Sequence, residues 1–195
     1  MSMEHYRAAQ KAGKKDLQTR TSQKLPVEMP ALDTILEHVD ISGEVPLGLV
    51  DIPTELIVGT KTCGRASSFA PNFMPILGES TEFAAKWSSL CDAHLKEGIR
   101  DPIVAYEYMN HYYIQEGNKR VSVLKYFDAI SIPGYVTRII PAREDTPESR
   151  IYYEFLDFYN ATNINYLFFS KEGSYAHLAF HLGHRRYERW SMDDR

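Results

Sequence analysis

The stretch "YYIQEGNKRVSVLKYF", residues 112–127, holds the residues best suited to chemistry. It passes from strand-like alternation through Gly117 into a helix-like apolar pattern. The predicted helix opens with Lys119 and Arg120, which oppose the helix macrodipole at about 0.3–1 kcal/mol each when exposed. The free N–H groups of a helix start, set beside two cations, make an anion trap. Gly117 leaves room for a phosphate or a backbone to approach without a Cβ. Phosphate is the expected anion, because a guanidinium matches its oxygens bidentately. On residue types alone, an equally good reading has both cations turned sideways into solvent.

Other residues compete for a chemical role. Cys63 lies in "TKTCGRA" between Lys61 and Arg65, where nearby cations favour a thiolate. With no placed resolving cysteine, redox chemistry is not favoured there, and Cys91 falls on an apolar helix face as core. His177, His181 and His184 have a spacing that can hold zinc. Nothing nearby completes the set, so a solvated histidine face is preferred and no metal centre is expected. Glu144, Asp145 and Glu148 have the chemistry for acid–base work or Mg²⁺, but a solvated loop is preferred. The rings of Tyr152, Tyr153, Phe155, Phe158 and Tyr159 are read as core or as a subunit contact, giving a homodimer through the aromatic C-terminal region as the expected assembly.

These residues need elements to position them. Residues 4–20 lack a strong apolar stripe and predict an exposed helix or a frayed arm. "ALDTILEHVD" predicts a short docked helix, and "VPLGLVDIPTELIVG" a strand, a turn and a strand. "TKTCGRASSFAPNF" has no periodicity and reads as a functional or disordered loop. "ESTEFAAKWSSLCDAHLKEG" is the clearest helix, with a Ser80 or Thr81 cap and Gly98 at its end. Two alternating runs flank Met109-Asn110 as a hairpin. A three-turn helix from "NKRVSVLKYFDA" and a strand from "ISIPGYVTRIIP" follow. The end of the chain reads as a helix around 150–159, a strand at "NINYLFFS" and a helix at "SYAHLAFHLG". The expected class is α/β (α+β), with a mixed sheet and packed helices. The expected domains are a helical N-terminal arm with docking helix, 1–44, a compact domain, 45–141, and an aromatic-rich extension, 142–195.

Charge narrows the partners. The net charge is −4, yet residues 1–24 carry +4, leaving −8 on the rest. A mostly acidic chain is a poor general nucleic-acid binder. No apolar run reaches the roughly 20 residues that span a bilayer, and no secretory signal is read. Two cysteines make no disulfide framework, so the cytosol is the expected compartment.

The region from about Leu47 to Pro141 resembles the ParB/sulfiredoxin-like domain. The resemblance is carried in order by "VDIPTELIVG", "CGRASSF", "FAAKWSSLCDAHLKEG", "DPIVAYEY", "HYYIQEG", the Gly-x-x-Arg turn "GNKR" and the strand "IPGYVTRIIP". It is similar also to ParB-like segments of bacterial transcriptional regulators. In partition proteins this turn contacts the phosphates of CTP. In sulfiredoxins it carries a catalytic cysteine and binds ATP. In free serine kinases it serves phosphoryl transfer. The resemblance implies a nucleotide of the CTP or ATP class with Mg²⁺, held by Gly117, Asn118, Lys119 and Arg120, with Arg65 facing the same site. Asn118 stands at the sulfiredoxin cysteine's position, which argues against that chemistry. Lys119 replaces a histidine or arginine, and retains charge but no imidazole proton chemistry. Glu116 stands where the kinases carry an acid and is the candidate catalytic residue. A nucleotide-binding regulatory domain is the first expectation, a small-molecule kinase or nucleotide hydrolase the second, and direct DNA binding the third.

Overall fold

The computed structural model describes residues 2–184, 189–191 and 193. The chain divides into two compact units, residues 1–140 and 141–195. In chain order the elements are α1 (Ser2–Ser22), α2 (Leu32–Leu36), β1 (Ile41–Pro53), β2 (Ile57–Thr60), α3 (Cys63–Ala66), α4 (Glu82–Glu97), β3 (Ile103–Tyr108), β4 (His111–Glu116), α5 (Asn118–Tyr126), β5 (Ser131–Pro141), α6 (Pro147–Thr162) and α7 (Ser174–His181). The fold is α/β. No described helix is long and apolar enough to cross a membrane.

The five strands form one mixed sheet in the order β1-β5-β3-β4-β2. β3 and β4 are antiparallel, while β2 runs parallel to β4 and β5 parallel to β3. Ser42 Oγ donates to Ile140 O at the start of β1, and Thr54 N–H donates to Ile130 O beyond its end, so β1 runs antiparallel to β5. The β3–β4 turn places both Met109 and Asn110 at positive φ, 50° and 64°, the backbone of a two-residue hairpin turn that matches strand twist. Asn110 N–H is held by Glu107 Oε1 at 2.7 Å.

The α4 helix starts at Thr81, whose hydroxyl accepts from Ala84 N–H, and ends at Gly98 with φ 80°. It buries Ala84, Trp87, Ser88 and Cys91. The Trp87 indole donates to Ser122 Oγ at 2.8 Å, tying α4 to α5. Burial raises the Cys91 thiol pKa, in keeping with a core role.

Three expectations are corrected here. The N-terminal segment is neither exposed throughout nor frayed: Tyr6 and Ala9 are fully buried, and the Tyr6 ring lies 5.5 Å from that of Trp87. Its stripe is thin, one aromatic and small residues, with Gly13 fitted so closely that a Cβ would lie 2.8 Å from Pro75 O. So thin a stripe gives little apolar periodicity. The loop after Thr60 is not disordered, the second of its two expected readings: it contains α3 and sends Phe69 and Phe73 into the core. "NINYLFFS" is not a strand. Asn163, at φ 57°, ends α6, and the Tyr175 hydroxyl donates to Leu167 O and accepts from Phe169 N–H. A side chain therefore does what a sheet ladder would have done for that backbone.

In residues 141–195 the aromatic set makes a core of its own. Tyr152, Phe155, Phe158 and Tyr175 are buried, and Phe158 meets Trp190 edge-on at 5.7 Å.

Lys125 is half-buried, with Nζ donating to Ile57 O at 3.0 Å and lying over the Phe73 ring. Burial pushes its pKa down from 10.5 to about 8. Between those values the unfolded chain binds the extra proton, so stability rises with pH in that window. Wild type should therefore gain stability relative to Lys125→Met between about pH 8 and pH 10.5 in urea denaturation. A difference that stays constant across that range would refute this account.

Candidate functional site

Gly117 is the hinge between β4 and α5. Its φ of 100° and ψ of 17° are unfavourable for any residue with a Cβ. A Cβ there would lie 2.7 Å from Ile103 Cγ2. The glycine is required by the positive φ and by the core isoleucine behind it. The expected reason, room for a phosphate, is not what the packing displays.

Val121 N–H is the first amide bonded within α5, to Gly117 O at 2.9 Å. The amides of Asn118, Lys119 and Arg120 precede it and have no acceptor inside the helix. These three residues line a cleft of about 210 Å³ together with Arg65, Phe83, Glu116 and Gly117. All six residues singled out from the sequence, Arg65, Glu116, Gly117, Asn118, Lys119 and Arg120, thus line one cleft. Ser68, Phe69, Phe83 and Gln115 also line it and were not singled out. Phe83 belongs to the apolar face of α4, and nothing in its spacing distinguishes a cleft wall from core.

The three cations differ in their commitments. Arg120 Nη1 donates to the carbonyls of Asp101 and Pro102, at 3.0 and 2.8 Å, clasping the start of β3. Its Nη2 lies 3.9 Å from Glu116 Oε1. The Lys119 ammonium sits 4.8 Å from the centroid of Phe83, a cation–π contact. Neither Lys119 nor Arg65 forms an ion pair among the described residues. Burial lowers the Lys119 pKa, Lys86 and Arg65 lower it further, and Glu82 partly offsets them. The cluster thus carries uncompensated positive charge at a helix start. Asn118 is buried, and its Oδ1 has no donor among the described residues. Glu116 is open to solvent, its side chain 74% exposed.

The other candidates are placed elsewhere. Cys63 is exposed, with Sγ 3.1 Å from Thr34 Oγ1. Asp145 pairs with Arg150, which also reaches Glu172. No group of three His, Cys, Asp or Glu side chains converges as a metal site among the described residues.

No family model matches the chain, and no curated protein matches its sequence. Among solved structures the chain is similar to sulfiredoxin from Arabidopsis thaliana, at 20% identity over 45% of this chain and 82% of that one, with a TM-score of 0.32.

Proposed function

We propose that the chain is a nucleotide-binding regulatory domain that holds phosphate at the 117–120 turn, within a transcriptional or other DNA-associated regulator. The observation that carries this reading is the uncompensated charge of Lys119 and Arg65 around the open amides of α5. An anion there would satisfy the amides, relieve the repulsion between the cations and favour the charged lysine. The cleft, about 210 Å³, is smaller than the roughly 300 Å³ at which pockets begin to enclose a drug-sized ligand. It suits the phosphate end of a nucleotide, with the remainder lying outside. Mg²⁺ would accompany a di- or triphosphate through its oxygens. Asn118 offers no thiol and Lys119 no imidazole, which supports a binding role of the partition-protein kind over sulfiredoxin chemistry.

The test is a thermal melt with CTP, ATP and ADP, with and without Mg²⁺. A ligand at 100 times its Kd should add about 2.7 kcal/mol. Lys119→Ala and Arg65→Ala should lose that shift while melting normally without ligand. They are better probes than Arg120→Ala, which also breaks the clasp on Asp101 and Pro102. If no nucleotide moves the melt, the reading falls. A kinase reading rests on Glu116, whose carboxylate shares the cleft, and requires serine-dependent ADP release that Glu116→Gln abolishes.

A further inference from the structure

The α7 helix carries His177 and His181 one turn apart, and their Nε2 atoms converge to 3.0 Å. The ring centroids are 4.3 Å apart, with planes at 85°. The opposite face of α7 is anchored, because Tyr175 and Ala179 are buried and the Tyr175 ring packs against Phe155, Phe158 and Phe169. Two residues further on lies about 200° around a helix, so both histidines project to solvent and are exposed. The last turn is also fixed. Gly183 has φ 81°, its N–H donates to Phe180 O, and His184 N–H donates to Ala179 O, the double bond that closes a helix on a left-handed glycine. The ring of His184 instead stacks on Trp190 at 4.4 Å, away from the pair.

Two imidazole nitrogens this close either share a proton or share a metal ion. With both protons moved to Nδ1, both Nε2 lone pairs are free to bind one ion. A metal–nitrogen distance of about 2.0–2.1 Å gives a nitrogen–nitrogen separation of about 3.3 Å at a tetrahedral angle and about 2.9 Å at a right angle. The observed 3.0 Å lies between them. The C-terminal end of a helix also favours a cation.

We infer that His177 and His181 form a bidentate imidazole site for a divalent transition ion, copper(II) ahead of nickel(II) and zinc(II), with water in the remaining positions. The order follows the stability series for nitrogen ligands. Mg²⁺ and Ca²⁺, which require oxygen ligands, are excluded. Neither histidine is among the residues that line the cleft at Gly117.

The experiment is titration of the full, untagged, chelator-stripped chain with CuCl₂, NiCl₂, ZnCl₂ and MgCl₂, followed by calorimetry. One equivalent of copper, then weaker nickel and zinc, and no response to magnesium are expected. His177→Ala and His181→Ala should each weaken copper binding at least about tenfold, since each removes one arm of the chelate. His5→Ala and His184→Ala should leave it unchanged. The copper(II) electron paramagnetic resonance spectrum of the wild type should show two coordinated imidazole nitrogens. Both substituted histidines are exposed, and circular dichroism checks that the variants fold. Equal binding by wild type and the His177→Ala/His181→Ala double variant would overturn the proposal, as would an equal loss in His184→Ala.

Discussion

Replacing Arg138 by methionine should destabilise the protein by about 3–5 kcal/mol, the usual cost of breaking a buried ion pair from one side. Arg138 Nε donates to Glu107 Oε2 across directly opposed positions of β5 and β3, and the two side chains are 3% and 1% exposed. Methionine keeps much of the volume but takes away the positive charge facing a carboxylate in the sheet. Glu107→Leu should cost at least as much. Besides the pairing, it deletes the acceptor that holds Asn110 N–H at the tip of the hairpin. The double variant Glu107→Leu/Arg138→Met should recover to within about 1–2 kcal/mol of wild type, because apolar replacement of both partners is often neutral while the turn contact stays lost. Urea denaturation of the four proteins as a double-mutant cycle reads this directly. Two singles that each cost under about 1 kcal/mol would show that the pair is effectively solvated, against its exposure values.

That pair illustrates what the sequence could and could not disclose. In "IVAYEY" the two-residue period puts Glu107 on the same face as Ile103 and Ala105, and the burial of all three follows that alternation. Its partner could not be read, because Arg138 becomes opposite only when β5 is laid parallel to β3 in one register. The 117–120 turn was legible for a different reason. A glycine between a strand pattern and a helix pattern, followed by two cations, is a signal of residue type and needs no long-range information. The fate of Arg120 was hidden, since its guanidinium turns back to carbonyls 18 and 19 residues earlier in the chain. The docking of α1 escaped because small residues such as Ala9 and Gly13 pack by proximity and leave no apolar signature. Phe69 and Phe73 were hidden by a polar loop around them. The left-handed backbone of Phe73, φ 66°, follows no local propensity.

Gly117→Ala should be among the most damaging single substitutions near the cleft, and a second glycine supplies its control. Gly98 ends α4 at φ 80°, yet a Cβ there would meet no atom within 4 Å. Gly98→Ala should therefore cost only the backbone penalty of φ 80° with ψ 148°, an extended positive-φ conformation that essentially only glycine adopts, about 1–3 kcal/mol. Gly117 has φ 100° and the close approach of Ile103 Cγ2 at 2.7 Å, and Ile103 is fully buried and cannot swing into solvent. Overpacking adds to the backbone cost, for a total of about 2–5 kcal/mol. The strain is relieved only if the turn lifts away from β3. Such a shift would move the amides of 118–120 and pull Arg120 from its carbonyls on Asp101 and Pro102. Chemical denaturation of both variants, read against wild type, separates the two contributions. If Gly117→Ala costs no more than the about 1–2 kcal/mol of a left-handed backbone alone, then Ile103 yields and the turn is not held from behind. If Gly117→Ala keeps the full nucleotide-induced thermal shift expected of wild type, the geometry of this turn is not what recognises the phosphate.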